Sequence, residues 1–205
     1  MYERFKSRFP RDPSVQASRP HDVAIPAIKG LKELLDLFGG GSFRSGVYRI
    51  IHPADLLEWQ KRVDLAFPEF GNGLVCFGYD WLGRAFALDT RRSEAGQPGI
   101  LMLDLGAGEA LEIPANLLEF HEGLLLEDDD VALASKFHRM WLKAGGVVPT
   151  HDRCIGYKIP LFLGGKDEIE NLEESDLDVY WHIIGQVLIQ VRDLPPGTVI
   201  SGFSG

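Results

Sequence analysis

Cysteine is scarce in this chain of 205 residues, which has only Cys76 and Cys154. Two cysteines cannot build a disulfide framework, and this points to a reducing compartment. Long apolar runs are missing too. None approaches the roughly 20 residues that span a bilayer, so no membrane partner is expected. The opening MYERFKSRFPRDPS is charged and lacks an apolar h-region, so no secretory signal is expected and the chain reads as cytoplasmic.

The usual nucleotide and metal signatures are also absent. Gly164-Gly165-Lys166 suggests a phosphate loop, which requires G-x-x-x-x-G-K-[ST]. Counting back from Lys166, the first glycine position is Pro160, and the hydroxyl position is Asp167, a carboxylate that repels phosphate. The glycine pair therefore reads as a turn after the apolar KIPLFL. No G-x-G-x-x-G follows a strand and opens a helix. The histidines His21, His52, His121, His138, His151 and His182 form no H-x-x-x-H pair, and the cysteines form no C-x-x-C. No cofactor and no metal are expected.

Acidic charge is plentiful but unevenly distributed. The net charge is −9. Residues 1–62 carry 11 Lys/Arg against 7 Asp/Glu, and residues 63–205 carry 10 against 23. Such a majority repels a phosphate backbone, so no nucleic acid is expected as partner. It attracts a basic protein surface and accelerates that encounter; simple solubility is the plainer alternative. The densest stretch is 167–178, with seven carboxylates in twelve residues. Asp167, Glu168, Glu170, Glu173, Glu174 and Asp176, close to Tyr180 and Trp181, are the candidate partner-binding residues. Their alternative is a solvated helix entrance. Asp128, Asp129 and Asp130 form a second candidate patch. They lack the spaced oxygens and glycine of a calcium loop and suit a helix N-terminus.

Periodicity gives the fold. Residues 1–22, with Pro10, Pro13 and Pro20, read as an extended polar arm. Helical spacing predicts helices over 26–38, 53–67, 114–126, 130–144 and 174–193, the last apolar nearly all round and opened by a Ser175/Asp178 capping box. A short strand is predicted at 46–51. GLVCFGYDWLGRAFALDT and GILMLDLGAGEALEI read as strand pairs turning at 80–83 and 106–108. Consecutive strands with tight turns imply an antiparallel meander, so the expected class is α+β, with the sheet built from 46–51 and 73–113 and helices packed on it.

One catalytic arrangement is conceivable: His151, Asp152 and Cys154 lie close in sequence, and a Cys/His pair supports acyl transfer. Cys154, however, opens an apolar run in which a buried, inert thiol is expected.

The segment IPAIKGLKELLDLFGGGSFRSGVYRIIHPADLLEW resembles the GAD-like domain. GLVCFGYDWLGRAFALDT, LEIPANLLEFHEGLL and CIGYKIPLFLGGKDEIENLEESDLDVYW are similar to the C-terminal domain that accompanies it in type VI secretion immunity proteins. The strand-turn-strand followed by a proline-started helix is also similar to the SUKH superfamily of toxin-immunity proteins. The resemblance runs from about residue 24 to 192. It implies a GAD-like region over 23–70, an immunity-protein C-terminal domain over 71–205 and a SUKH-like fold. It further implies a non-enzymatic role: binding and neutralising a co-encoded toxin, typically a nuclease. The alternatives are a non-catalytic adaptor module on the same scaffold and an enzyme using His151 and Cys154.

Overall fold

A computed structural model of the chain describes residues 1–13, 23–192 and 194. The expected meander is present. Strands β1 (Ser42–Phe43), β2 (Tyr48–Ile50), β3 (Leu74–Asp80), β4 (Ala85–Glu94), β5 (Gln97–Asp104) and β6 (Glu109–Asn116) form one sheet in that order. Every neighbouring pair is antiparallel.

The period-2 alternation of these strands builds two cores. Phe77, Phe86, Leu88, Ile100 and Met102 point to one face, and Cys76, Ala85, Ala87, Leu101 and Leu103 to the other. The first face is closed by α1 (Glu3–Arg8), α2 (Leu31–Phe38) and the helical stretch after β6. The second is closed by α3 (Leu56–Ala66) and, at the far end of the chain, α8 (Leu177–Arg192). Both sheet faces are covered, so β3 is buried at nearly every position.

The first correction to the sequence reading concerns the N-terminus. Within the described residues 1–13, the chain forms α1 rather than an extended arm. Tyr2, Phe5 and Phe9 are at most 1% exposed, packed against Phe38, Phe43 and His121. The charges between these aromatics hid an amphipathic helix that contributes about 1.5–3 kcal/mol for each ring it buries. The remainder of the expected arm, 14–22, lies outside the described residues.

Helix boundaries move for local reasons. The helix expected from Pro26 begins at Leu31, because Gly30 adopts a left-handed conformation. Pro114 belongs to β6, an edge strand, where its missing N–H costs nothing. The following helical stretch starts instead at a capping box of Asn116 and Glu119. It runs through α4 (Leu117–Glu119), a π-turn (Phe120–Leu124) and α5 (Leu125–Glu127). The helix expected over 130–144 is divided into α6 (Asp129–Leu133) and α7 (Ser135–Lys143) by Ala134, at φ 48°.

Sequence periodicity missed a second sheet altogether. Strands β7 (Arg153–Tyr157) and β8 (Leu172–Asp176) pair antiparallel and attach to the main sheet where the Ile155 N–H donates to the Trp81 carbonyl at 2.8 Å. Between them Leu161–Leu163 forms a 3-10 turn ending at Gly164, which is left-handed at φ 87°, so the Gly-Gly pair is indeed a turn. Tyr180 of α8 lies over Gly156 of β7, where a Cβ would come within 2.4 Å of the ring.

The β3–β4 turn holds a buried ion pair. Asp80, fully buried, accepts from Leu82 N and Arg84 N at 3.0 Å each and from Arg84 Nε at 2.6 Å. Burial pushes its carboxyl up and Arg84 draws it back, so that it settles at about 6 and is ionised at neutral pH. Arg84→Met leaves that carboxylate uncompensated, and a loss of about 3–5 kcal/mol is expected in urea unfolding. Adding Asp80→Asn should return part of it, and a single variant with an unchanged midpoint would show the pair to be idle.

His121 is the second buried polar anchor. Leu117 O, 2.8 Å away, can only accept, so Nδ1 carries the proton and Nε2 accepts from Tyr48 Oη at 3.0 Å. Burial pushes its pKa down to about 4, and His138 moves the same way, also to about 4. Between pH 6.5 and 4 the unfolded imidazoles take protons that the native ones refuse, so stability is intact above 6.5 and is lost as pH falls toward 4. Asp80 opposes this below pH 6, because its native carboxyl binds a proton before the unfolded one does. Comparing the parent with His121→Gln cancels Asp80. The parent should lose up to about 3 kcal/mol more than the variant across that window; parallel pH profiles would sink the assignment.

Candidate functional site

The structure brings the two predicted acidic patches together, but only in part. Asp130 from α6 and Asp167, Glu168 and Glu170 from the turn before β8 line one groove of about 580 Å³. Its apolar lining is Ala134, Phe137, Met140 and Ile169, with Met140 55% exposed. Lys136 also lines the groove and pairs with Asp130, so the uncompensated carboxylates lie on the Asp167, Glu168 and Glu170 side. An open groove of this kind, with a methionine and a phenylalanine beside those carboxylates, suits a cationic, partly apolar segment.

The carboxylates differ in how far they are already committed. Asp128 caps α6 by accepting from Asp130 N at 3.1 Å. Asp129 pairs with Arg44 at 2.5 Å and accepts from Ser135 Oγ at 2.8 Å. Asp130 accepts from Lys136 N at 2.7 Å and pairs with Lys136 Nζ at 2.8 Å. The Lys136 hydrogen bonds lower the Asp130 carboxyl. Together these bonds start α7 directly after Ala134, so this patch is chiefly a helix-breaking and capping device.

The second run is freer. Asp167 accepts from Tyr157 Oη at 2.6 Å, and Asp176 caps α8 by accepting from Val179 N at 3.0 Å. The cap is therefore Asp176, and the Ser175/Asp178 box is not formed, since Ser175 lies in β8 opposite Cys154. Glu168, Glu170, Glu173 and Glu174 are exposed. Glu168 and Glu174 have only long contacts, to Lys166 at 3.9 Å and Arg153 at 3.5 Å. The run is not a helix entrance: it spans a 3-10 turn (Ile169–Asn171) and strand β8. The sequence concealed this because Leu-Glu-Glu-Ser-Asp has no apolar alternation.

A second cavity, of about 270 Å³, lies between α3 and the start of α8, lined among others by Arg49, Trp59, Tyr79, His151 and Asp178. Arg49 is 2% exposed, donates from Nη2 to Pro149 O at 2.5 Å and lies 5.4 Å from the Tyr79 ring. A single arginine inside the apolar GVYRII was its sequence signal. Arg62 stacks on Trp59 at 4.8 Å and hydrogen-bonds Asp178 across the cavity mouth. Beyond that bridge the outer face of α8 leaves Val179 and Ile183 53% and 52% exposed, so the helix that reads as apolar nearly all round is buried on one face.

The arrangement proposed for acyl transfer is not assembled. Cys154 is fully buried and burial pushes its thiol far up, while His151 is exposed and contributes its backbone carbonyl to Tyr79 Oη. Burial likewise raises Cys76 to about 12. Among the described residues no group of three or more His, Cys, Asp or Glu side chains could hold a metal ion. No helix among them is long and apolar enough to cross a membrane.

The fold and groove define a class first: an α+β protein with a helix-covered antiparallel sheet and an open groove lined by four carboxylates, a lysine and apolar side chains. Residues 119–188, which contain the residues lining that groove, match the family described as T6SS immunity protein Tdi1, C-terminal. No curated protein matches. Among solved structures, the crystal structure of Atu4351 from Agrobacterium tumefaciens is similar, with a TM-score of 0.56 and 17% identity over 91% of this chain and 89% of that one. At that identity the likeness speaks to fold alone.

The thiol chemistry can be tested directly. Neither Cys76 nor Cys154 should react with iodoacetamide at neutral pH over a time that labels both fully in urea. Rapid native labelling of Cys154 would reveal an activated thiolate and revive the acyl-transfer reading.

Proposed function

We propose that this chain binds and neutralises a cognate bacterial effector, a nuclease with a basic surface, through the acidic face formed by the 580 Å³ groove and the adjoining β8 carboxylates. The observation that carries the reading is the run of Asp167, Glu168 and Glu170 on the groove and exposed Glu173 and Glu174 on the adjoining strand, all within the stretch that matches the immunity family. A nuclease cleft is basic because it holds a polyanion. Carboxylates set on a rigid frame compete for the same cations, and their field accelerates encounter. The two-part organisation, GAD-like over 23–70 and the immunity C-terminal domain over 71–205 on a SUKH-like scaffold, belongs to the same proposal, as does action in the cytoplasm without enzymatic activity.

The test is a charge reversal confined to uncommitted residues. Glu168, Glu170, Glu173 and Glu174 are all changed to lysine, and Asp128 to Asp130 are left alone because they hold α6 and α7 in place. Binding to the polypeptide encoded by the adjacent reading frame should lose on the order of tenfold in association rate at low salt. The defect should shrink as salt shortens the Debye length to roughly 8 Å and below. Melting should stay near the parent's, since exposed substitutions cost within about 0.5 kcal/mol each. A variant with normal melting and an unchanged on-rate at low salt would remove this surface from the mechanism.

A further inference from the structure

The two-stranded sheet has an unusual edge. Strand β8 pairs with β7 on one side, and among the described residues no strand or isolated bridge lies on its other side. Two bonds just beyond the strands fix which backbone groups face which way: Lys158 N donates to Asn171 O, and Leu177 N donates to Asp152 O. Antiparallel pairs alternate between bonded and non-bonded. Glu173 and Ser175, opposite Gly156 and Cys154, therefore direct their N–H and C=O groups to β7. Leu172, Glu174 and Asp176, opposite Tyr157, Ile155 and Arg153, direct theirs outward. The same parity holds on the far side of β7, where Ile155 N, opposite Glu174, bonds Trp81 O instead of β8.

Of the outward groups, Asp176 C=O is used by the start of α8, as an N-cap carbonyl is. The remainder have no backbone partner among the described residues: Leu172 C=O, both groups of Glu174, and Asp176 N–H. Natural edges are usually blunted by proline, a bulge, a covering element or lysine. The edge of the main sheet follows that rule, with Pro114 in β6. Strand β8 has no proline, bulge or lysine; its charged side chains are Glu173, Glu174 and Asp176, continuing from Asp167, Glu168 and Glu170 on the turn before it.

We propose that this edge is a docking rail, on which an extended, lysine- and arginine-rich segment of the effector adds a third strand beside β8. The inference rests on the reading under Proposed function and gives its mode of contact. Backbone bonds to Leu172, Glu174 and Asp176 supply register, and the carboxylates along the strand select a cationic sequence over a neutral or acidic one. From that rail the segment continues over the turn toward the groove, where Ile169 and Met140 receive its apolar side chains.

The probe is a capped hexapeptide of alternating lysine and valine, titrated into the full 15N-labelled chain. The amides of Glu174 and Asp176 should shift, and their hydrogen exchange should slow at least tenfold at saturation. A second peptide of the same sequence, N-methylated at every peptide bond, keeps the charge but cannot donate, and should bind at least fivefold more weakly. In the protein, Glu174→Pro removes an outward N–H without touching the β7–β8 ladder, as edge prolines do. It should melt like the parent and lose at least fivefold in affinity for the first peptide, more than Glu174→Gln loses. If the proline variant melts lower, the methylated peptide on the unaltered chain carries the test. Equal binding of the two peptides would overturn strand addition and leave the acidic surface standing. Binding of neither would overturn both.

Discussion

The groove and the strand beside it depend on a single turn. Asp80 and Arg84 form a buried ion pair inside the β3–β4 connection, and the backbone and side chains around them hold the segments that carry the site. Arg84 Nη2 donates to Ala132 O and Trp81 Nε1 to Leu133 O, which fixes the end of α6 and with it Asp130. Trp81 O accepts from Ile155 N, which fixes β7 and through it β8. Gly83 O accepts from Trp181 Nε1, which fixes α8. Both rims of the groove are therefore referred to the same few atoms. A surface that works by prearranged charge needs such a frame, because flexible carboxylates would lose on ordering much of what they gain on contact.

The same frame explains why equal charges on this chain do unequal things. Asp128, Asp129 and Asp130 stop one helix and start the next, so their carboxylates are occupied by the Asp130 N–H, Ser135, Lys136 and Arg44. Glu168 and Glu170 lie on the turn before β8, and Glu173 and Glu174 on β8 itself, whose backbone is already satisfied on its β7 side. They have no structural duty of comparable strength. Acidic residues free of local roles, on an element held from behind by backbone bonds, are the ones available to a partner.

What the sequence disclosed and concealed follows the same physics. The meander was legible because Asp80 to Gly83 and Gly106 to Gly108 mark turns between alternating segments, and the two faces of that alternation became the two cores. The N-terminal helix was not legible, since Tyr2, Phe5 and Phe9 are separated by arginines and a lysine, and a six-residue helix gains its stability from the aromatic cluster it joins. Strand β8 was concealed for the opposite reason. Its residues have poor strand propensity and are acidic on both faces, so only pairing with the apolar Cys-Ile-Gly-Tyr of β7 makes it a strand. Of the candidate groove, the sequence supplied the four carboxylates but not Lys136, Phe137, Met140 or Ile169 beside them. The division of the acidic residues into committed and free carboxylates could not be read from it, because it depends on Arg44, Lys136 and Tyr157, which are brought up by the fold.

An open edge is ordinarily a hazard, and the carboxylates on this one bear on that as well. Two copies of β8 meeting edge to edge would set Glu173, Glu174 and Asp176 against the same residues of the second copy. Like charges directly opposite on paired strands are destabilising, so self-pairing is opposed at each step along the strand. A cationic strand meets the reverse situation at every one of those positions. The sign of the charge that the proposed basic effector requires thus also rejects the chain's own edge, and specificity of this kind is a difference of affinities between partners rather than tightness for one. Lysines would have protected the edge equally well against self-association, but they would have repelled the cleft of a nuclease. On the proposed function, that is the physical reason for glutamate along this strand.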